Sequence, residues 1–135
     1  MSSNSYTTQN QWGGNQAPWH NGGVWIIGGR QNQKVVKVDA DSQDGGCSLF
    51  GTMAYSGEGP IGFKATRIGG NNWKVENQWG GSQAPWHQGG TWTIGCREQQ
   101  PVVSLHIGSS DQGNSLIGHM TYKGEGPIAF KGHLN

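Results

Sequence analysis

Two sets of residues, one in each half of the chain, have the side chains needed to hold an uncharged ligand. Each set contains a tryptophan followed by two glycines, an arginine, and a glutamate that stands between two glycines. An indole offers a rigid apolar surface, a carboxylate can accept two neighbouring hydroxyls, and a guanidinium donates from a fixed fork. This chemistry suits a pyranose, which has an apolar C–H face and many hydroxyls. The residues are Trp12, Gly13, Gly14, Arg30, Gly57, Glu58 and Gly59 in the first half, and Trp79, Gly80, Gly81, Arg97, Gly124, Glu125 and Gly126 in the second.

The glycines around these side chains indicate exposed loops, because no neighbouring side chain can cover the tryptophan or the carboxylate. We therefore predict that Trp12 and Trp79 stand at loop mouths. Two other interpretations stay open: these tryptophans could belong to the core, and the arginine and glutamate could form a salt bridge that only fixes the fold. The remaining tryptophans precede or lie inside apolar runs or pair with an aromatic residue, and are predicted to be core or structural. They are Trp19, Trp25, Trp73, Trp86 and Trp92.

The chain is one sequence written twice. The segment from Asn10 to His20 recurs from Asn77 to His87, a shift of 67 residues that holds without insertion along the chain. Residues 2–68 and 69–135 are two copies, identical at roughly half of their positions. No linker separates them, so we predict one domain over residues 1–135 rather than two.

Few charges recur between the copies, which makes the recurring ones informative. Only four charged pairs keep their type, and every other charged residue faces an uncharged residue in the other copy. Because the chain is only 13% charged, a repeated arginine and glutamate indicate a specific role. We assign the repeated aspartates to turns and the repeated lysines to a solvated strand face. The four pairs are Arg30/Arg97, Asp44/Asp111, Glu58/Glu125 and Lys64/Lys131.

The elements that position these residues are predicted to be β-strands. With 25 glycines the chain is a poor helix former, and no segment has helical spacing over ten or more residues. Alternating residues predict strands in the first copy at 5–12, 24–30, 34–40, 47–55 and 60–67, joined by turns at 13–14, 21–23, 44–46 and 57–59. Doubling gives about ten antiparallel strands. An all-β, closed barrel with pseudo-twofold symmetry is the fold that leaves no exposed edge.

Charge and composition exclude several partners and cofactors. A net charge of +1 without a basic cluster argues against nucleic acid, and no apolar run is long enough for membrane insertion. Cys47 and Cys96 form no CxxC motif and are predicted to be free structural thiols. His20 and His87 have no ligand-spaced partner, so we predict hydrogen-bonded loop residues, no metal and no cofactor. The first residues resemble no secretory signal, which predicts synthesis in the cytoplasm, with release by a non-classical route left open.

The repeated eleven-residue motif, the Ile-Gly-x-Arg step and Gly-Glu-Gly-Pro-Ile resemble the Oscillatoria agardhii agglutinin family of high-mannose-binding lectins. The resemblance covers essentially the whole chain. It implies a monomeric ten-stranded barrel with one carbohydrate site at each end, and metal-independent binding of high-mannose N-glycans. It also implies cross-linking of glycoproteins that carry them, such as viral envelope glycoproteins, and antiviral activity.

Carried over by residue, the resemblance implies that each site combines loops from both copies. The first site would join Trp12, Gly13 and Gly14 to Arg97, Gly124, Glu125 and Gly126. The second would join Trp79, Gly80 and Gly81 to Arg30, Gly57, Glu58 and Gly59. The copies depart from each other at Cys96, which stands in place of Gly29, and at Ser82, which stands in place of Asn15. Because Cys96 is next to Arg97, it raises the expectation that the two sites are slightly unequal.

Two other functions fit parts of the sequence. A glycoside hydrolase could use Glu58 and Glu125, but hydrolysis needs two carboxylates within about 5–10 Å of one bond. The repeat symmetry would place one glutamate in each of two separate sites, so we predict no enzymatic activity. A protein-interaction barrel could instead dock proline-rich segments on its exposed tryptophans.

Overall fold

The computed structural model describes residues 4–135, which form ten β-strands. No helix occurs in this part of the chain, so none could cross a membrane there. The all-β prediction is confirmed. The strands are β1 (Ser5–Gln11), β2 (His20–Ile26), β3 (Val35–Asp41), β4 (Ser48–Tyr55), β5 (Ile61–Gly69), β6 (Asn72–Gln78), β7 (Trp86–Thr93), β8 (Val102–Gly108), β9 (Ser115–Tyr122) and β10 (Ile128–Leu134).

Four of the five strands predicted for the first copy lie where the alternation placed them, but the second was wrong. It was predicted at 24–30, with a turn at 21–23, whereas β2 begins at His20 and ends at Ile26. A glycine is needed inside the strand, because a Cβ on Gly22 would lie 2.6 Å from the Thr8 hydroxyl oxygen of β1. Gly23 has a φ of +88° at the point where the β1–β2 register shifts. The glycines therefore mark close strand packing and a bulge, not a hairpin turn.

The strands close into one antiparallel barrel in the order β1-β10-β9-β8-β3-β4-β5-β6-β7-β2. Strands β3, β4 and β5 of the first copy continue into β6 and β7 of the second, and β8, β9 and β10 of the second copy are completed by β1 and β2 of the first. The two halves join through five residue pairs between β3 and β8 and one pair, Ile26 with Thr93, between β2 and β7. Each half of the barrel thus contains strands of both copies.

Successive connections lie at alternating ends of the barrel, because every strand is antiparallel to its neighbours. The β1–β2, β7–β8 and β9–β10 loops lie at one end. The β2–β3, β4–β5 and β6–β7 loops lie at the other end. Loops that are equivalent in the two copies therefore lie at opposite ends of the barrel.

Aromatic side chains fill much of the interior. Trp25, Trp73 and Trp92 are fully buried, as predicted, and tilted contacts with phenylalanine rings fix two of them. The prediction that Trp19 and Trp86 belong to the core was wrong. Both are partly exposed, and lysine ammonium groups lie 4.3 and 4.6 Å from their ring centroids. They lie just before β2 and at the start of β7, where an apolar residue can rest on the outer wall instead of pointing inward.

The alternation from Cys47 to Tyr55 predicts that Cys47, Leu49, Gly51, Met53 and Tyr55 share the inner face of one strand, and the structure confirms this for three of them. Leu49, Met53 and Tyr55 point into the core. Cys47 precedes the strand and is exposed, so its predicted place on the inner face was wrong. Cys96 is exposed as well, and both thiols are free. The free state was predicted, whereas their exposure gives neither cysteine a packing role in the core.

The turn role predicted for the repeated aspartates is confirmed. The carboxylate of Asp44 accepts hydrogen bonds from the hydroxyls of Ser42 and Ser48 at 2.8 and 2.6 Å and from the Ser48 backbone N–H at 2.9 Å. Asp111 is held in the same way by Ser109 and Ser115. These hydrogen bonds, chiefly those from Ser48 and Ser115, lower the pKa of both aspartates to about 2.

We expect these two turns to make the barrel sensitive to acid. A lowered carboxylate pKa stabilises the folded state above the unfolded value near 4, and this stabilisation is lost as the pH falls through about 2. The double variant Asp44→Asn, Asp111→Asn should have a lower Tm at pH 7 and a shallower fall in Tm between pH 4 and pH 2. Thermal unfolding followed by circular dichroism at pH 7, pH 4 and pH 2 measures this. The same fall in Tm between pH 4 and pH 2 for variant and parent would contradict it.

Candidate ligand-binding site

Two similar clefts, each with a volume of about 450 Å³, open at opposite ends of the barrel. Each is built from three loops that topology brings to the same end, and each takes its tryptophan from one copy and its arginine and glutamate from the other. The first is lined by Trp12, Arg97, Glu125, Gly126, Pro127 and Ile128. The second is lined by Trp79, Arg30, Glu58, Gly59, Pro60 and Ile61. We call them the Trp12 cleft and the Trp79 cleft.

In the Trp12 cleft, both carboxylate oxygens of Glu125 are held by side chains. The Arg97 guanidinium donates to Oε1 at 3.0 Å, and the Gln100 amide donates to Oε2 at 3.0 Å. Arg97 also donates to the Gln100 side-chain oxygen at 2.7 Å, which closes the triangle. The Gln100 amide is itself anchored on the Lys123 carbonyl at 2.7 Å. A carboxylate fixed at both oxygens presents its remaining lone pairs in one orientation.

The Trp79 cleft repeats this arrangement closely. Arg30 donates to Glu58 Oε1 at 3.0 Å, Gln33 donates to Oε2 at 3.0 Å, and Arg30 donates to Gln33 at 2.6 Å. Hydrogen bonds from the glutamine and the arginine lower the pKa of Glu58 and of Glu125 below the ordinary value. Both carboxylates are therefore ionised at neutral pH and can accept hydrogen bonds from hydroxyl groups.

The arginine–glutamate pairs are salt bridges, so the structural interpretation of these residues also holds. The side chains are 35–46% exposed, however, and ion pairs open to water add little to stability. Each pair also lines an open cleft. A ligand that enters can use the free N–H groups of the arginine and the free lone pairs of the glutamate at once.

Each arginine rests on a buried tyrosine. The guanidinium carbon of Arg30 lies 4.1 Å from the ring centroid of Tyr55, and that of Arg97 lies 4.0 Å from Tyr122. The tyrosine hydroxyls accept the backbone N–H groups of Gly29 and Cys96 at 2.9 and 3.1 Å. Burial raises the pKa of both tyrosines, which keeps them neutral. The tyrosine thus fixes both the arginine loop and the plane of the guanidinium.

The cleft tryptophans are exposed, as predicted, with 46% of Trp12 and 47% of Trp79 accessible to solvent. One face of each indole is covered by a stacked imidazole, with ring centroids 4.0 Å apart for Trp12 and His20 and 4.1 Å apart for Trp79 and His87. The histidines were predicted to be hydrogen-bonded loop residues. They belong instead to β2 and β7 and serve as backing for the indoles. A ligand can stack only on the opposite indole face.

No cluster of metal-ligating side chains occurs within residues 4–135. The side chains of each cleft provide an apolar indole face, a fixed carboxylate and a fixed guanidinium. That combination is suited to a neutral polyhydroxylated ring.

The glycines predicted for the sites fall into two groups. Gly59 and Gly126 line the clefts, have no positive φ, and leave open space where a Cβ would stand. The barrel itself does not explain glycine at these two positions, whereas close approach of a ligand would. The other six flank the clefts with φ between +83° and +105°, a backbone that favours glycine. They are Gly13, Gly14, Gly57, Gly80, Gly81 and Gly124.

Sequence reasoning missed two kinds of cleft residue. Gln33 and Gln100 orient the glutamates, and the Pro-Ile pairs after Gly59 and Gly126 form part of the cleft walls. Gln33 and Gln100 are separated by the same 67 residues as the charged pairs, so the repeat itself indicates them. Cys96 lies beside Arg97 with its Sγ 3.6 Å from the Tyr122 hydroxyl, a contact that Gly29 does not make in the other cleft.

Comparison with known proteins gives consistent matches. Residues 4–68 and 71–135 each match the sugar binding domain of OAA-family lectins. The chain is 62% identical over 128 residues to lectin SfL-2 of Solieria filiformis, covering 94% of this chain and 48% of that protein. It is 58% identical over 127 residues to lectin OAA of Planktothrix agardhii, covering 94% of this chain and 96% of that protein. The chain thus spans about half the length of the first of these relatives.

A solved structure agrees with this relationship. The Myxococcus xanthus hemagglutinin, solved in complex with a3,a6-mannopentaose, superposes on the barrel with a TM-score of 0.95 at 55% identity. The match covers 96% of this chain and 49% of that one.

Proposed function

The chain belongs to the OAA family of lectins, and from this premise we propose that it binds high-mannose oligosaccharides through both of its clefts. The observation that carries the proposal is the pair of matching clefts. Each has an indole with an imidazole stacked on one face, and a glutamate whose two carboxylate oxygens accept hydrogen bonds from an arginine and a glutamine. In each cleft the C–H face of a mannose ring stacks on the open indole face. Its hydroxyls donate to the glutamate and accept from the arginine, in charge-assisted hydrogen bonds worth roughly 1.5–3 kcal/mol each.

Mannose is favoured over other sugars by the comparison with the Myxococcus xanthus hemagglutinin, which was solved with a branched mannopentaose. At 55% identity over 96% of this chain, a similar ligand is expected here. The proposed sites are those implied by the family resemblance, extended by the glutamine that orients each glutamate. We assign Trp12, Gly13, Gly14, Arg97, Gln100, Gly124, Glu125 and Gly126 to one site, and Trp79, Gly80, Gly81, Arg30, Gln33, Gly57, Glu58 and Gly59 to the other.

Two sites at opposite ends of a rigid barrel point away from each other, so one monomer can hold glycans on two different surfaces. Where both clefts reach glycans of the same assembly, simultaneous engagement raises the apparent affinity by about 10²–10⁴ over a single site. Cross-linking of glycoproteins, including viral envelope glycoproteins, and antiviral activity follow as parts of the same proposal.

The arrangement supports a binding role over glycoside hydrolysis. Glu58 and Glu125 lie in clefts at opposite ends of the barrel, so they do not act on the same glycosidic bond. Within each cleft, the lining contains one carboxylate, which is already held by an arginine and a glutamine. Incubation with oligomannose for a day should release no reducing sugar.

Titration calorimetry with α3,α6-mannopentaose tests the proposal directly. We expect two mannopentaose molecules bound per chain, and a glycan array should show high-mannose structures as the main ligands. Binding of proline-rich peptides on a parallel array, with no glycan retained, would overturn the proposal in favour of a protein-interaction barrel.

We expect Gln33 and Gln100, which orient the glutamates, to contribute to mannopentaose affinity without contacting the sugar ring that stacks on the indole. In the double variant Gln33→Leu, Gln100→Leu, each glutamate keeps its arginine but loses the donor on its second oxygen. Mannopentaose affinity should fall by about threefold to tenfold, the equivalent of one lost hydrogen bond per site. Calorimetry measures the change, and Gln88→Leu, at an exposed position on β7 outside both clefts, is the matched control. An unchanged Kd in the double variant would show that the glutamates need no second donor.

A further inference from the structure

The outer wall of the barrel differs between the two copies at one exposed aromatic residue. Phe50 lies on β4 with 61% of its surface exposed, and the equivalent residue in the second copy is Ile117, which is 62% exposed. Within residues 4–135, Phe50 is the only exposed Phe, Trp or Tyr besides the two cleft tryptophans. Such a large exposed ring calls for an explanation, since it adds nothing to the core.

Phe50 ends an aromatic strip that begins at the Trp79 cleft. Gly62 directly follows Ile61, which lines the Trp79 cleft. The Trp86 indole packs against Gly62, since a Cβ on this glycine would be 3.3 Å from the indole Cη2 atom. The rings of Trp86 and Phe50 are 6.0 Å apart at 50°. The Lys64 ammonium group lies 4.6 Å from the Trp86 ring centroid and covers one face of that ring. Phe50 is therefore the ring of the strip that is open to a ligand.

A polar groove of about 440 Å³ continues from Phe50 along the wall to the β3–β4 turn, at the end of the barrel away from the Trp79 cleft. Its lining pairs the phenyl ring with carboxylate, amide and hydroxyl groups, and it shares with the clefts an aromatic ring beside a carboxylate. The lining residues are Asp41, Gln43, Asp44, Ser48 and Phe50.

The second copy does not reproduce this groove. The residues equivalent to Asp41, Gln43 and Phe50 are Gly108, Ser110 and Ile117. The outer wall formed by the second copy therefore lacks both the ring and the carboxamide that line the groove beside Phe50.

We infer that Phe50 and this groove form an additional sugar subsite for the outer residues of a long oligomannose whose core occupies the Trp79 cleft. The inference rests on the proposed function. A carbohydrate is the occupant that fits, because the strip starts at a sugar cleft and combines an aromatic face with hydrogen-bonding groups. The two clefts should then be unequal: the Trp79 cleft prefers longer oligomannose, and the Trp12 cleft does not distinguish length.

The test isolates one cleft at a time. Trp12→Ala leaves the Trp79 cleft, and Trp79→Ala leaves the Trp12 cleft. Each is titrated by calorimetry with mannopentaose and with a nine-mannose oligosaccharide. In the Trp12→Ala background, Phe50→Ile should weaken the nine-mannose ligand by about threefold to tenfold, as expected for one lost aromatic contact, and leave mannopentaose unchanged. In the Trp79→Ala background, the same substitution should change neither affinity.

Two further variants serve as controls in the Trp12→Ala background. Phe50→Tyr keeps the ring and should retain the preference for the longer ligand, and Ile117→Ala, equally exposed in the other copy, should have no effect. Equal affinities for both ligands before and after Phe50→Ile would overturn the subsite while leaving the proposed function intact. Loss of mannopentaose binding in both single-cleft variants would instead reject the proposed function. A dimer in sedimentation that Phe50→Ile dissociates, without a change in glycan affinity, would overturn the subsite and assign the ring to an interface between copies.

Discussion

Replacing Trp12 and Trp79 together by alanine is expected to abolish mannopentaose binding while the barrel remains folded. Each indole supplies the open aromatic face of its cleft, and a tryptophan that a ligand buries on binding typically contributes about 2 kcal/mol or more, which is at least about a 30-fold loss per cleft. Calorimetry with mannopentaose measures the loss. Both rings are nearly half exposed and lie on loops, so the Tm should change little.

The double variant Trp12→Phe, Trp79→Phe is the matched control for this experiment. It keeps an aromatic face on the stacked imidazole and should retain part of the affinity, whereas alanine leaves only the polar groups of the cleft. Circular dichroism confirms that both variants fold. Full mannopentaose affinity in the alanine variant would remove the tryptophans from the proposed sites and leave the arginine–glutamate pairs as structural salt bridges.

A single substitution is expected to abolish cross-linking without abolishing binding. Trp12→Ala should reduce the calorimetric stoichiometry from two mannopentaose molecules to one and leave the Kd of the remaining site unchanged. The two clefts lie at opposite ends of the barrel, so a barrel with one functional cleft can hold only one glycan at a time. Precipitation of a high-mannose glycoprotein should therefore stop, because one functional cleft cannot bridge two glycoproteins.

Trp79→Ala is the matched control for this prediction, since it removes the other cleft and should also end precipitation. Sedimentation of the unliganded variants determines whether the chain is monomeric. Precipitation that persists in both single variants would contradict bivalency within one chain and would point to assembly of several chains.

The residue types and their recurrence at a spacing of 67 determined much of this protein. They revealed two copies, strands instead of helices, exposed Trp12 and Trp79, and a repeated arginine and glutamate suited to a sugar. These features depend on local chemistry and on alternation along the chain, which a sequence expresses directly. The β2 error has the same origin, because Gly22 and Gly23 resemble a turn when only their local preference is considered.

Only the tertiary structure decided which residues share a cleft. From the residues alone, Trp12 could have met the arginine of either copy, and the family resemblance supplied the partner. The physical reason is the strand order: antiparallel pairing of β1 with β10 brings the first copy's Trp12 loop beside the Glu125 loop, and alternation of ends sends Glu58 to the far side. Long-range register also set the imidazoles behind the indoles and placed Trp86 and Phe50 on the outer wall, because apolarity alone does not specify which face of a strand a ring occupies.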